Sequence, residues 1–242
     1  MFGDIKNPQG EKLDYSFHPG KADVRYIVVL GHGVTGNKDR PFLVALAEGL
    51  SAAGIPVLRF SYSGNGTSGG RFVDSTISKE VQDLGSVIDA LKGWDVAYIG
   101  HSMGGAVGVV RASQDARIRW LVSLAGMVHT HDFAQREFGM VTPDQGCMWD
   151  EPACPLSSAY MQDLSSLRSL VDRAPQIRVP WLLVHGTADD VVPVQDSKDI
   201  LAKANPASTR FIEIEGSNHV FAGEYTARLV QEVTGWLATQ LR

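Results

Sequence analysis

Gly100-His101-Ser102-Met103-Gly104 places a serine between glycines. G-x-S-x-G is the pattern of a nucleophile held on a sharp strand-to-helix turn, with its hydroxyl raised above a sheet. The pattern occurs twice, since Gly66-Thr67-Ser68-Gly69-Gly70 also fits. Context separates the two. Ser102 follows the β-rich run DVAYIG and precedes an Ala/Val/Gly segment of helical character, whereas Ser68 lies in the glycine-rich stretch YSGNGTSGG with no helix beside it. A Cβ at Gly100, Gly104 or Gly105 would collide with the turn or push the helix off the strand.

A serine hydroxyl is a weak nucleophile until a base takes its proton. Of seven histidines, His219 lies in EGSNHVF, directly after the strand-like FIEI and before the last helical segment. The C-terminal ends of parallel strands gather at one edge of a sheet, so His219 and Ser102 are expected to face one crevice. The base in turn needs an acid that fixes its tautomer. Asp189 and Asp190 both follow the strand-like WLLV, in HGTADDVVP. Adjacent carboxylates point in different directions, so one reaches the histidine. Asp189 is the expected partner and Asp190 a solvated or capping neighbour.

Acyl transfer places negative charge on the former carbonyl oxygen, and backbone N–H groups must be aimed at it. Met103, the residue after the nucleophile, supplies one from a helix N-terminus. The second is expected from GHGVTGN, the loop after the first main strand, with Val34 N–H as the candidate. The loop lacks the G-x-G-x-x-G and lysine spacings of a nucleotide-phosphate site. His32 and His101 flank these two segments as candidates for substrate contact or for support from behind.

The elements needed to hold these groups are legible as alternating apolar runs and amphipathic stretches. Strands are expected at 24–30, 55–62, 95–99, 120–124, 181–184 and 211–214, and helices at 41–53, 75–91, 103–113 and 222–241. Near-continuous apolar strands between helices imply an α/β fold, a mainly parallel sheet covered on both faces. The whole chain, residues 1–242, reads as one domain. From about 127 to 178 there is no clean strand, and this stretch is expected to be a helical cap insertion. Within it, Phe138 and Trp149, with Phe133, Tyr160, Met140 and Met148, either line a substrate pocket or pack the insertion onto the body.

Together these pieces resemble the α/β-hydrolase superfamily of serine hydrolases, whose triad runs Ser, acid, His in chain order. Within it, GHGVTGNKDRPF, RFSYSGNGTSGG and AYMQDLSSL are most similar to the small feruloyl/cinnamoyl-esterase-type carboxylesterases. The resemblance implies a mainly parallel sheet of about eight strands with a short helical cap. It also implies a carboxylic-ester substrate, possession of the nucleophile by Ser102, the acid by Asp189 and the base by His219, and oxyanion donors at Val34 and Met103. Those esterases often carry an aromatic residue where this chain has Val34, which implies a differently shaped acyl pocket. The same machinery serves thioesters, amides and carbon–carbon bonds, and the fold also occurs in ligand-binding proteins that hydrolyse nothing.

Other classes are excluded on simpler grounds. With 22 Lys+Arg against 27 Asp+Glu and no basic run, the chain is a poor binder of phosphate backbones, so no nucleic-acid partner is expected. No apolar stretch is long enough to span a bilayer, and the N-terminus lacks the pattern of a secretory signal, so the expected location is cytoplasmic. Cys147 and Cys154 read as free thiols. His129, His131 and Asp132 lack a further nearby ligand, so neither a metal nor an organic cofactor is expected. Lys38, Arg59 and Arg71 read as solvated rim charges.

Overall fold

The computed structural model describes residues 2–241. Its main sheet has seven strands: β3 (Tyr15–His18), β4 (Tyr26–Gly31), β5 (Val57–Phe60), β6 (Asp95–His101), β7 (Ile118–Leu124), β8 (Trp181–Gly186) and β9 (Thr209–Ile214). Their order across the sheet is β3-β5-β4-β6-β7-β8-β9. All neighbours are parallel except β3, which runs antiparallel to β5. The sheet thus has seven strands where about eight were expected. A separate two-stranded sheet, β1 (Ile5–Lys6) with β2 (Lys12–Leu13), precedes it.

Alternate side chains of the buried strands feed two cores. Val28, Leu30, Ala97, Ile99, Val122 and Val184 face α1 (Pro41–Ala52) and α7 (Glu224–Gln240). Ile27, Val29, Tyr98, Leu121 and Leu183 face the other way, onto α2 (Ile77–Ala90), α3 (Met103–Ala112) and α6 (Val194–Leu201). Burial on both faces is what makes these strands read as unbroken apolar runs. Pro41 opens α1 at a position where its missing N–H costs nothing. Thr76 caps α2 by accepting from Lys79 N.

Between β7 and β8 lie α4 (Thr130–Phe138), α5 (Ser158–Leu167) and two 3-10 turns, Met148–Asp150 and Val171–Gln176. Phe133, Phe138, Met148, Tyr160 and Leu164 of this stretch share one buried core with α2 and α3. Asp163 on α5 also accepts from the N–H of Ser78 at 3.0 Å and from its hydroxyl at 2.5 Å, joining α5 to the first turn of α2.

The sequence of strands β5, β4, β6 across the sheet reverses direction at β4. Ligands of open α/β sheets bind beyond the strand C-termini at such a reversal. The loop after β4 and the turn after β6 both lie there.

Candidate active site

Ser102 joins β6 to α3 with φ 54° and ψ −117°, a left-handed conformation that a non-glycine residue adopts only under constraint from its surroundings. The constraint is visible. Ser102 N–H donates to Leu124 O, and its carbonyl accepts from Gly105, Ala106 and Met127. A Cβ on Gly100 would lie 2.0 Å from Gly104 O, and one on Gly104 would lie 2.6 Å from His32 O. Behind the turn, Tyr62 and Tyr98 hydroxyls meet at 2.5 Å, and the Tyr98 hydroxyl donates to Gly104 O. Ser68, in the other glycine-flanked motif, has its hydroxyl engaged with Ser61 O and Asp14 N.

His219 follows β9. Its Nδ1–H donates to Asp189 Oδ2 at 2.8 Å, which leaves Nε2 as the acceptor. Asp189 follows β8, and its side chain is fully buried. Burial alone would raise this carboxyl, but hydrogen bonds from His185 and His219 outweigh it and hold the group well below the usual carboxylate range. Oδ1 accepts from the N–H groups of Val191 and Val192, both at 2.9 Å. Asp190 is exposed. His185 was not singled out from the sequence. Its Nε2–H lies 2.9 Å from Val192 O and 3.2 Å from Asp189 Oδ2, and its Nδ1 accepts from the Ser197 hydroxyl. The signal was its spacing of four from Asp189 at a strand end.

Ser102 and His219 open on one cavity of about 300 Å3, together with Gly33, Val34, His101, Trp149 and Arg40. Among the described residues, the N–H groups of Val34 and Met103 donate to no acceptor within the protein. Both are therefore free to receive an anion. Phe42, Val191 and Val220 complete the apolar part of the wall. None of these was singled out from sequence, because they come from the start of α1 and from the segments after β8 and β9, which only folding brings together.

The four candidates for substrate contact divide evenly. His101 and Trp149 reach the cavity. His101 Nε2–H donates to His219 O, and its ring packs on Phe42 and His219. Burial pushes His101 well below the ordinary histidine value, so it is neutral. His32 and Phe138 are corrections: neither reaches the cavity. His32 is fully buried, its Nδ1–H donating to Gly33 O and its Nε2 accepting from Tyr62 N. Burial brings its pKa down to about 4, so it braces the loop as a neutral ring. Phe138 is enclosed by Phe133, Trp149 and Tyr160. Arg59 is likewise no solvated rim charge. It is buried and bonded to His18, Lys38 O and Asp39. Lys38 is largely covered and paired with Asp14 and Asp39. His129 and His131 diverge, to Asp199 and Ser165.

A strained serine after a central strand, a carboxylate-bound histidine and two free N–H donors on a parallel sheet define a serine hydrolase of the α/β-hydrolase fold. The chain belongs to the family described as serine aminopeptidase, S33, which matches residues 22–143 and 155–226. It is similar to a monoacylglycerol lipase of Mycolicibacterium smegmatis, 24% identical over 96% of this chain and 95% of that protein. It is also similar to the mitochondrial palmitoyl-protein thioesterase ABHD10 of Bos taurus, 25% identical over 89% of this chain and 72% of that one. Among solved structures, Est1E from Butyrivibrio proteoclasticus with bound ferulic acid superposes with a TM-score of 0.87 at 24% identity, over 98% of each chain. Among the described residues no helix is long and apolar enough to cross a membrane.

Proposed function

We propose that this protein is a serine carboxylesterase that hydrolyses small carboxylic esters through an acyl-enzyme, in the cytoplasm and without a metal or organic cofactor. The observation that carries this reading is the opening of Ser102 and the Asp189-bound His219 onto one cavity. Ser102 Oγ attacks the ester carbonyl while its proton passes to His219 Nε2. The carbonyl oxygen, now negative, is held by the N–H groups of Val34 and Met103. Collapse breaks the bond to the alcohol oxygen, which leaves with the proton from His219. Water then gives a proton to His219 and attacks the acyl carbon, and Ser102 departs with that proton. Asp189 stays ionised throughout and stabilises the imidazolium.

Two features favour an ester over a free-amine peptide. No Asp or Glu lines the cavity, so an α-ammonium would find no counter-charge there, and Arg40 adds a positive one. A cavity of about 300 Å3 lies at the small end of ligand sites, which fits a compact ester. The insertion between β7 and β8 serves as the cap in this reading, through Trp149 at the lip. Feruloyl-type esters belong to the substrates to be tried, since Est1E was solved with ferulic acid.

The test is one panel: p-nitrophenyl acyl esters of rising chain length, methyl ferulate, an acyl thioester and an aminoacyl anilide. Short esters are expected to turn over fastest, with covalent labelling of Ser102 by a fluorophosphonate. Faster turnover of the thioester or the anilide would replace the ester assignment, and absence of both turnover and labelling would make the fold a binding protein.

A further inference from the structure

Arg40, exposed at the mouth, is the one Lys or Arg among the residues lining the Ser102 cavity. It is the last residue before α1, and its Nη2 donates to Thr35 O at 3.0 Å. That bond ties the guanidinium to the loop that carries Val34 and leaves its remaining N–H donors unspent. Among the described residues no carboxylate lies within ion-pair distance of it. The nearest in sequence, Asp39, is engaged by Lys38 and by Arg59, both at 2.8 Å. A guanidinium without a counter-ion, facing a mostly apolar cavity beside a nucleophile, is a recognition group for an anion.

The lip sets how far that anion can lie from the ester. Thr35, Arg40 and Trp149 line both the cavity and a wider groove outside it. The outer groove also holds Asp39 and Glu151, the latter accepting from Ala153 N. An anion carried past the lip would meet these two carboxylates, whereas one held inside it meets Arg40 alone. Trp149, 44% exposed, and Val191 supply apolar surface for the body of the substrate between Ser102 and the lip.

We propose that Arg40 makes this enzyme selective for esters that carry a carboxylate a short distance from the scissile bond. The inference rests on the esterase reading above. The carboxylate meets the guanidinium inside the lip, orients the ester over Ser102, and takes no part in bond making or breaking.

The experiment compares two chromogenic esters that differ in charge but hardly in shape: 3-carboxy-4-nitrophenyl acetate and 3-carbamoyl-4-nitrophenyl acetate. A second pair places the charge on the acyl side: the mono-4-nitrophenyl ester of adipic acid against its terminal amide. The wild type is expected to favour the carboxylate in at least one pair by about fivefold in kcat/KM, the size of a partly exposed ion pair. The pair that shows the preference tells which limb faces Arg40. Raised ionic strength should shrink it. R40Q should bring the ratio near one, R40K should keep part of it, and R40E should invert it. Equal turnover of charged and neutral esters by the wild type in both pairs would overturn the proposal while leaving the esterase reading intact. So would an R40Q enzyme that loses the same factor on both members of a pair, because Arg40 would then act only by bracing Thr35. Turnover of none of the four esters would overturn the esterase reading, and this inference with it.

Discussion

Asp189 accepts from the N–H groups of Val191 and Val192 on Oδ1 and from His219 on Oδ2, and His185 Nε2 lies 3.2 Å from that same Oδ2. This arrangement fixes His219 with its proton on Nδ1 and keeps the carboxylate ionised although it is buried. Ser102→Ala should lower ester turnover on the order of 10⁴-fold with no loss of thermal stability, measured by p-nitrophenyl acetate hydrolysis beside a melting curve. Asp189→Asn should cost on the order of 10³–10⁴-fold by releasing the tautomer. Asp190→Asn, one residue on and exposed, should stay within twofold of wild type. Equal losses from the two asparagine variants would mean that the acid has been misassigned. The proposed triad was legible in sequence because each member directly follows a strand of a parallel sheet. That neighbouring side chains diverge implied that only one of Asp189 and Asp190 meets His219; the 2.8 Å bond from His219 Nδ1 to Asp189 is what separates the two. His32 was not legible in the same way: its GHG setting suits a cavity wall and a buried brace equally, and only the contact with Tyr62 N separates them.

The nucleophile turn works as an element because β6 and α3 approach within backbone contact. The approach is enforced at Gly100, where a methyl group would sit 2.0 Å from Gly104 O, an atom that cannot swing aside. Gly100→Ala should therefore destabilise the protein by about 3 kcal/mol or more, and lower the melting temperature by roughly 10 °C at this chain length. The same change should depress activity even in the folded fraction, because the turn that presents Ser102 must shift. A folded, fully active Gly100→Ala enzyme would show that the turn tolerates more separation than the contact implies. The insertion is anchored in a different way. Asp163 of α5 accepts from the N–H and hydroxyl of Ser78, a helix cap lent by one element to another. Asp163→Ala should cost about 1 kcal/mol, and hydrogen exchange should speed up first in α5 and the start of α2. Such a bond has no local sequence signal, since its partners are 85 residues apart. The short strands β1, β2 and β3 escaped for a related reason. Tyr15–His18 is partly exposed at the sheet edge and lacks the apolar run that marks β4 or β6.

Across the whole molecule, the parallel strands and the covering of both sheet faces were readable from period and polarity, whereas the order of the strands across the sheet and the charged residues buried between elements were not. Arg59 is one such residue and Glu80 is another. Glu80 lies on α2, 1% exposed, and neither carboxylate oxygen finds a partner among the described residues. Burial raises its pKa well above the ordinary value, and the neighbouring Asp83 and Asp163 raise it further. The folded protein therefore keeps a proton on Glu80 at pH values where the unfolded chain has lost it. Stability owed to this group is complete below the ordinary glutamate range and declines as pH climbs toward the folded-state value. Glu80→Gln preserves shape and removes the titration. The variant should match wild type closely near pH 4.5 and melt a few degrees higher at pH 8, with the gap widening steadily between. Melting curves of the two proteins across that range give the test. A gap independent of pH would mean that Glu80 releases its proton equally readily in the folded and unfolded chains. A gap that narrows with rising pH would mean that a cation outweighs burial at Glu80 in the folded protein; the cation its surroundings offer, Lys79, is paired with Glu11 at 2.9 Å.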